Sequence, residues 1–202
     1  MSRRRGKRSS PVRIFDPPTD GDRRTGWYVV PQGGRLFLVH ADQRGAYEDG
    51  EELAENNPWH WIAARLLSFG GDFMEVPHND LDGRLLGESL KQTAYLLPGD
   101  RAIKRPVLTG KGWHCYENAV KLLARQGPDS QLVVGLAMHM ASGWVLHTWV
   151  QSLTHGVMEA TSVPLWYYGI AVPRGKKGQD MRSWWRQALM PDTDTDRETI
   201  NA

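Results

Sequence analysis

Three consecutive apolar segments with short gaps between them limit what the second half of this chain can become. Gln131–Met138, Trp144–Gln151 and Gly156–Ser162 each have the length and the β-branched and aromatic content of a strand. Gaps this short join strands as hairpins, so the three are expected to lie antiparallel. Trp166–Val172 supplies a fourth apolar segment. Before them, Glu117–Arg125 reads as a helix with Ala119, Val120, Leu122 and Leu123 on its apolar face, and Gly127 is placed to stop it. A helix followed by a run of antiparallel strands is an α+β pattern, with the helix packed on the sheet.

The first half is less regular. Gly26–Val30 and Arg35–Val39 flank Pro31-Gln32-Gly33-Gly34, which reads as a β-hairpin with a glycine turn. Leu53, Trp59, Ile62, Leu66 and Leu67 recur at helical spacing over Glu51–Phe69, with Pro58 separating an early turn from the main helix and Gly70-Gly71 ending it. From Asp72 to Gly112 the pattern is mixed. Leu81, Leu85, Leu86 and Leu90 suggest a short helix, and Pro98-Gly99 a turn. The hairpin and the Trp59 helix are expected to form a lid or an extension of the core.

Composition then sets the outer bounds. A chain of 202 residues suits one domain, and 40% hydrophobic with 24% charged residues is ordinary for a globular protein. Residues 1–25, rich in arginine, serine and proline, offer too little to bury and read as a disordered basic arm. Residues 26–174 form the expected domain. Residues 175–202 form a tail with a short helix around Ser183–Leu189, whose Trp184 and Trp185 dock on the domain, and an acidic end. A net charge of +2 does not mark the whole chain as a nucleic-acid binder, but Arg3, Arg4, Arg5, Lys7, Arg8 and Arg13 leave phosphate contact open for residues 1–13. A single cysteine excludes an internal disulfide. The basic start lacks the apolar stretch of a secretory signal, and the most apolar run, Gln131–Val150, is interrupted by His139, Ser142 and His147. No membrane partner and cytoplasmic residence are expected.

The chemistry concentrates around Cys115, at the loop-to-helix junction Gly112-Trp113-His114-Cys115. A lone cysteine usually packs as a small hydrophobe. This one precedes a helix expected to begin one or two residues later, and the free N–H groups there stabilise an anionic sulfur. His147 shares a strand face with Trp149 by alternation. If one hairpin turns around Leu153, Glu159 falls directly across from His147, where a carboxylate would hold the imidazole tautomer and stabilise imidazolium. If the other turns around Ala141, Gly135 lies beside His147 and leaves room for sulfur or substrate. A one-residue slip would put Glu159 on the wrong face. His114 is expected to point away, and His139 and His155 to occupy turns. Cys115, His139, His147 and Glu159 lack the close ligand pair usual in zinc sites, so neither metal nor other cofactor is expected. Trp113, Trp144 and Trp149 are the candidates for an aromatic groove wall.

The order of cysteine, histidine and acid on helix, strand and strand resembles the transglutaminase-like branch of the papain-like superfamily, where a His-x-Trp strand precedes the acid-bearing strand. Cys115-x-x-Asn118-Ala119, Gly135, His147-x-Trp149, Glu159-x-Thr161 and Tyr168-Gly169 are also similar to a pattern in small phage and bacterial proteins. The likeness covers residues 110–172. It implies a papain-like core with Cys115 as nucleophile, His147 as base and Glu159 as orienter. One departure stands out. Papain-like enzymes place a glutamine shortly before the nucleophile to help bind the oxyanion, and Thr109–His114 contains none. Gln92, Asn118 or the Trp113 indole, with the Cys115 backbone N–H, are the candidate substitutes.

The expected activity is cysteine-dependent acyl chemistry on a peptide, protein or other amide, released to water or to an amine. The alternative is a non-catalytic papain-like binding protein, in a phage setting an inhibitor of a host protein.

Overall fold

A computed structural model describes residues 26–41, 50–105, 114–140 and 143–189. The basic arm, Trp113 and the acidic end lie outside the described residues. In chain order the elements are β1 (Gly26–Gln32), β2 (Arg35–Ala41), β3 (Glu51–Glu52), α1 (Pro58–Leu67), β4 (Met74–Val76), α2 (Leu86–Thr93), β5 (Tyr95–Pro98) and β6 (Ile103–Lys104). There follow α3 (Cys115–Leu123), β7 (Ser130–His139), β8 (Gly143–Ser152), β9 (Gly156–Glu159), β10 (Trp166–Ala171) and α4 (Lys176–Leu189). The fold is α+β, built on a mostly antiparallel sheet. Among the described residues no helix is long and apolar enough to cross a membrane.

The sheet order is β3-β2-β1-β4-β8-β7-β10-β5, with β9 paired to β8 and β6 to β9. The β1–β2 hairpin turns at Gly33 and Gly34, with φ of 57° and 80°, the consecutive positive values that a two-residue hairpin turn matching strand twist requires. Through β4 this hairpin continues the same sheet, so it is an extension and not a lid. Directly paired residues share a face, which sorts the sheet by parity. The even-numbered residues of β7, β8 and β10, among them Val134, Leu136, Trp144, Leu146, Val150 and Ile170, join Trp59, Ile62 and Leu66 of α1 in the main core. Leu90 of α2, Leu122 of α3 and Trp185 of α4 enter the same core, so all the helices cover one face. On the opposite face Val133, Ala137, Trp149, Val157 and Tyr167 form a smaller cluster.

Several boundaries differ from expectation for identifiable reasons. Pro58 begins α1 at its first turn, capped by the Asn57 side chain, and the chain before it is a short strand and turn. Leu81 and Leu85 precede α2, because the buried Asp80 carboxylate takes the Leu85 and Gly87 N–H groups at 2.8 and 2.7 Å and sets the helix start there. Cys115 is itself the first residue of α3, behind His114 as the cap residue. Gly127 does not stop α3, which ends at Leu123 with Ala124 still in right-handed conformation. The acid strand ends at Glu159, short of Ser162.

The tail is the largest correction. α4 spans Lys176–Leu189, longer than the helix expected around Ser183–Leu189, because its first turns are polar and show no apolar period. Gly178 permits its approach, since a Cβ there would lie 1.6 Å from the Pro173 carbonyl oxygen. Trp185 is fully buried, and its indole N–H donates to Thr148 Oγ1 at 2.7 Å. Trp185→Ala should therefore lower unfolding free energy by about 3–5 kcal/mol. Urea unfolding measures this, and a loss under about 1 kcal/mol would mean that α4 is a surface appendage.

Candidate active site

β7 and β8 pair with Gly135 opposite His147, the register of a hairpin centred on Ala141. β8 and β9 are offset from the expected register by two residues. Val150 faces Met158 and Ser152 faces Gly156, so the loop is Leu153-Thr154-His155. Asp129 sets this offset by accepting hydrogen bonds from Ser152 and Thr154 at 2.9 and 2.7 Å. Glu159 consequently aligns with Trp149, diagonal to His147. Because strand side chains alternate with period two, an even shift keeps Glu159 on the face of His147.

The carboxylate reaches back to the imidazole, and His147 Nε2 and Glu159 Oε2 lie 2.8 Å apart. That leaves Nδ1 as the remaining ring nitrogen, and Cys115 lies near enough to the same imidazole to help hold its proton. On β8 the outer edge is paired to β4 at Trp144 and to β9 from Val150 onward. Between them no described strand covers it, which leaves that edge at His147 open to the start of α3. α3 packs against β8. The structure thus brings Cys115, His147 and Glu159 into one chain of contacts from residues that are all buried.

Electrostatics follow from the burial. Desolvation alone would suppress the His147 charge, but Glu159, with the hydrogen bonds to Cys115 and Glu159, outweighs it and raises the imidazole pKa well above the usual value. Burial likewise opposes the Glu159 charge, and the His147 cation together with three hydrogen bonds holds its carboxyl below the usual range. Oε1 accepts the Ala160 and Thr161 N–H groups at 2.9 and 2.8 Å. Oε2 also accepts the Tyr167 hydroxyl at 3.0 Å. Every lone-pair direction of this buried carboxylate is therefore served. Tyr167 itself is driven far above its ordinary pKa by burial and by that carboxylate, so it remains a donor.

Other expected residues take different places. Trp149 is fully buried and stacks on His147 with ring centroids 6.2 Å apart and planes 18° from parallel, so it braces the imidazole from inside the protein. Trp144 has even parity and lies in the core on the helix side, its indole N–H on the Leu66 carbonyl, so it is no wall of this site. Asn118 is buried one helical turn beyond Cys115, and its amide N–H₂ points to Thr161 Oγ1 at 3.4 Å, tying α3 to the segment after Glu159. The space expected beside Gly135 is taken by the β10 backbone, since a Cβ there would meet the Tyr168 oxygen at 2.2 Å. His114 turns to Glu117, with Nδ1 and Oε2 3.4 Å apart. The Gln92 side chain lies outside the described residues. Among the described residues no three His, Cys, Asp or Glu side chains are grouped to hold a metal.

Two further residues stand at the site, Tyr167, which sequence reasoning missed, and His139, which was expected in a turn. Tyr167 carries the parity of the site face, while Tyr168, noted for its resemblance, sends its hydroxyl to the Leu90 carbonyl on the other side. His139 ends β7 and stands edge-on to His147, centroids 5.8 Å apart and planes at 82°. Set against known proteins, the chain matches no family model, no curated protein and no solved structure.

The shifts fix a pH window for the pair. His147 has a folded pKa above its reference of 6.5, so its share of stability is complete below 6.5 and fades as pH rises through the raised value. Glu159 has a folded pKa below its reference of 4.5, so its share is complete above 4.5 and is lost as pH falls through the lowered value. Glu159→Gln should lower stability most between those two references, on the order of 3 kcal/mol, and less as pH rises further. Denaturant melts across pH check this, and a deficit independent of pH would contradict a charged pair.

Proposed function

We propose that the protein is a cysteine-dependent acyl hydrolase or acyltransferase of papain-like or transglutaminase-like type, with Cys115 as nucleophile, His147 as its proton partner and Glu159 as orienter. The observation that carries this reading is the buried His147 imidazole, bound through Nε2 to the Glu159 carboxylate at 2.8 Å with the buried Cys115 close enough to act on the same ring, a setting that favours the imidazolium. A cation in that place stabilises a sulfur anion formed opposite it. The first turn of α3 adds unpaired backbone N–H groups beside the same sulfur. Structural cysteines have no need of such a partner set.

The reaction proceeds in two halves. The Cys115 sulfur attacks the carbonyl carbon of an amide or ester, and the π pair moves to oxygen. His147 gives its proton to the departing amine as the tetrahedral adduct collapses to a thioester. Water or a second amine then gives a proton to His147 and attacks the thioester, and the thiol is restored as the product leaves. Glu159 keeps its charge throughout and holds the ring by Nε2 so that Nδ1 faces sulfur.

Iodoacetamide labelling and 4-nitrophenyl acetate turnover test this reading together. Cys115 should alkylate at neutral pH faster than a free thiol, and Glu159→Gln should slow labelling by about tenfold or more. One acetyl group per chain should appear on Cys115 by mass spectrometry, and none in Cys115→Ala. Labelling as slow as that of a packed thiol, with no acetyl adduct, would leave the arrangement as that of a binding protein. Tyr167→Phe removes one hydrogen bond to the charged carboxylate and should cost about 1.5 kcal/mol or more in the acylation barrier, seen as a rate decrease of about tenfold.

A further inference from the structure

We infer that His139 is a further catalytic residue of this site, a neutral imidazole that donates its N–H to the oxygen of the carbonyl attacked by Cys115. The inference rests on the acyl-transfer reading above and names the oxyanion donor which that reading lacks. Four observations lead to it. His139 shares the face of His147 by alternation, and the small side chain of Ala137 lies between them in β7. Its ring approaches that of His147 edge-on at 5.8 Å, so both imidazoles border one space. Neither of its ring nitrogens has a hydrogen-bond partner among the described residues, and neither is sealed from the surface as the Trp149 indole N–H is. Finally, the Asn118 amide is already turned to Thr161, and His114 is paired with Glu117.

The protonation state suits the role. Burial, reinforced by the neighbouring His147 charge and only partly offset by Glu159, lowers His139 to about 4. It is then uncharged at neutral pH, with one ring N–H as donor. A second cation beside His147 would weaken the imidazolium that faces sulfur, while a neutral donor does not. As the Cys115 sulfur bonds to the carbonyl carbon, the C=O π pair moves to oxygen, which becomes an alkoxide. The His139 N–H and the Cys115 backbone N–H, which has no acceptor within its helix, hydrogen-bond that alkoxide without transferring a proton. Collapse returns the pair to the C=O bond and expels the leaving group, protonated by His147 when it is an amine.

The experiment separates this role from that of the triad because alkylation by iodoacetamide displaces iodide and forms no oxyanion. The full chain and its His139→Phe, His139→Asn and His139→Gln variants are compared for acetylation of Cys115 by 4-nitrophenyl acetate and for alkylation. Phenylalanine keeps the ring contact and removes the donor, while the two amides restore an N–H near the positions of Nδ1 and Nε2. His139→Phe should acetylate about 10²–10³-fold more slowly, and at least one amide variant should recover to within about tenfold of the parent. Alkylation rates should agree within about twofold across all four proteins. The inference is overturned if His139→Phe acetylates like the parent, if neither amide rescues it, or if acetylation and alkylation fall together. A parent chain that takes no acetyl group, with alkylation unaffected by Glu159→Gln, fails at the triad and removes the ground for His139 as well.

Discussion

Placing a carboxylate and an imidazolium together out of water costs several kcal/mol per ion, and their attraction offsets this only when the geometry is good and the remaining lone pairs are filled. The His147–Glu159 pair meets both conditions, and the surrounding structure is arranged around meeting them. The chain turns immediately after Glu159 so that the Ala160 and Thr161 N–H groups fold back onto Oε1. β10 must lie where Tyr167 can reach Oε2. β9 must pair with β8 at an offset that leaves Glu159 on the His147 face, and the Asp129 clip on the β8–β9 turn holds that offset. An error in any of these would strand a buried charge.

Packing beneath the pair is equally constrained. Gly135 and Gly169 face each other across β7 and β10. A Cβ at Gly169 would lie 2.4 Å from the Trp149 ring, so the indole rests directly on backbone there. That low seat lets Trp149 lie nearly parallel to the imidazole and closes one side of it. The glycines therefore act on the site through Trp149, one strand removed, and not by leaving room for sulfur.

What the sequence made legible follows the physics of alternation. Parity alone places His147, Trp149 and Glu159 on one face, and it survives the two-residue error in the β8–β9 register because the strand period is two. The same parity excludes Trp144 from the site, although proximity in sequence suggests otherwise. Tyr167 was illegible because Trp166-Tyr167-Tyr168 presents two equivalent tyrosines, and only the pairing of Tyr167 with Ala137 decides which one faces Glu159. His139 was assigned to the turn because the apolar run stops at Met138, yet β7 continues one residue further and keeps it on the His147 face. Asp80 and the start of α4 were missed for another reason. Local capping by a carboxylate and a polar first turn carry no hydrophobic period.

The division of labour between layers has a consequence for the chemistry. Cys115 belongs to α3 and so to the helix layer, while His147, Glu159, Tyr167 and Trp149 belong to the sheet. The sheet half is rigid because its ladder and its buried hydrogen bonds hold each other. The sulfur reaches it only as well as α3 docks on β8. That docking depends on Ala119 and Leu122 packing into the main core and on the Asn118–Thr161 contact, which ties the helix to the residues just beyond the acid. Asn118 thus joins the helix that begins at Cys115 to the turn that follows Glu159, so the placement of the thiol relative to the imidazole is constrained from both ends. Since replacing a buried ion pair by apolar groups is often neutral or stabilising, the buried Asn118 and the His147–Glu159 pair are better understood as fixing this alignment than as adding to the stability of the fold.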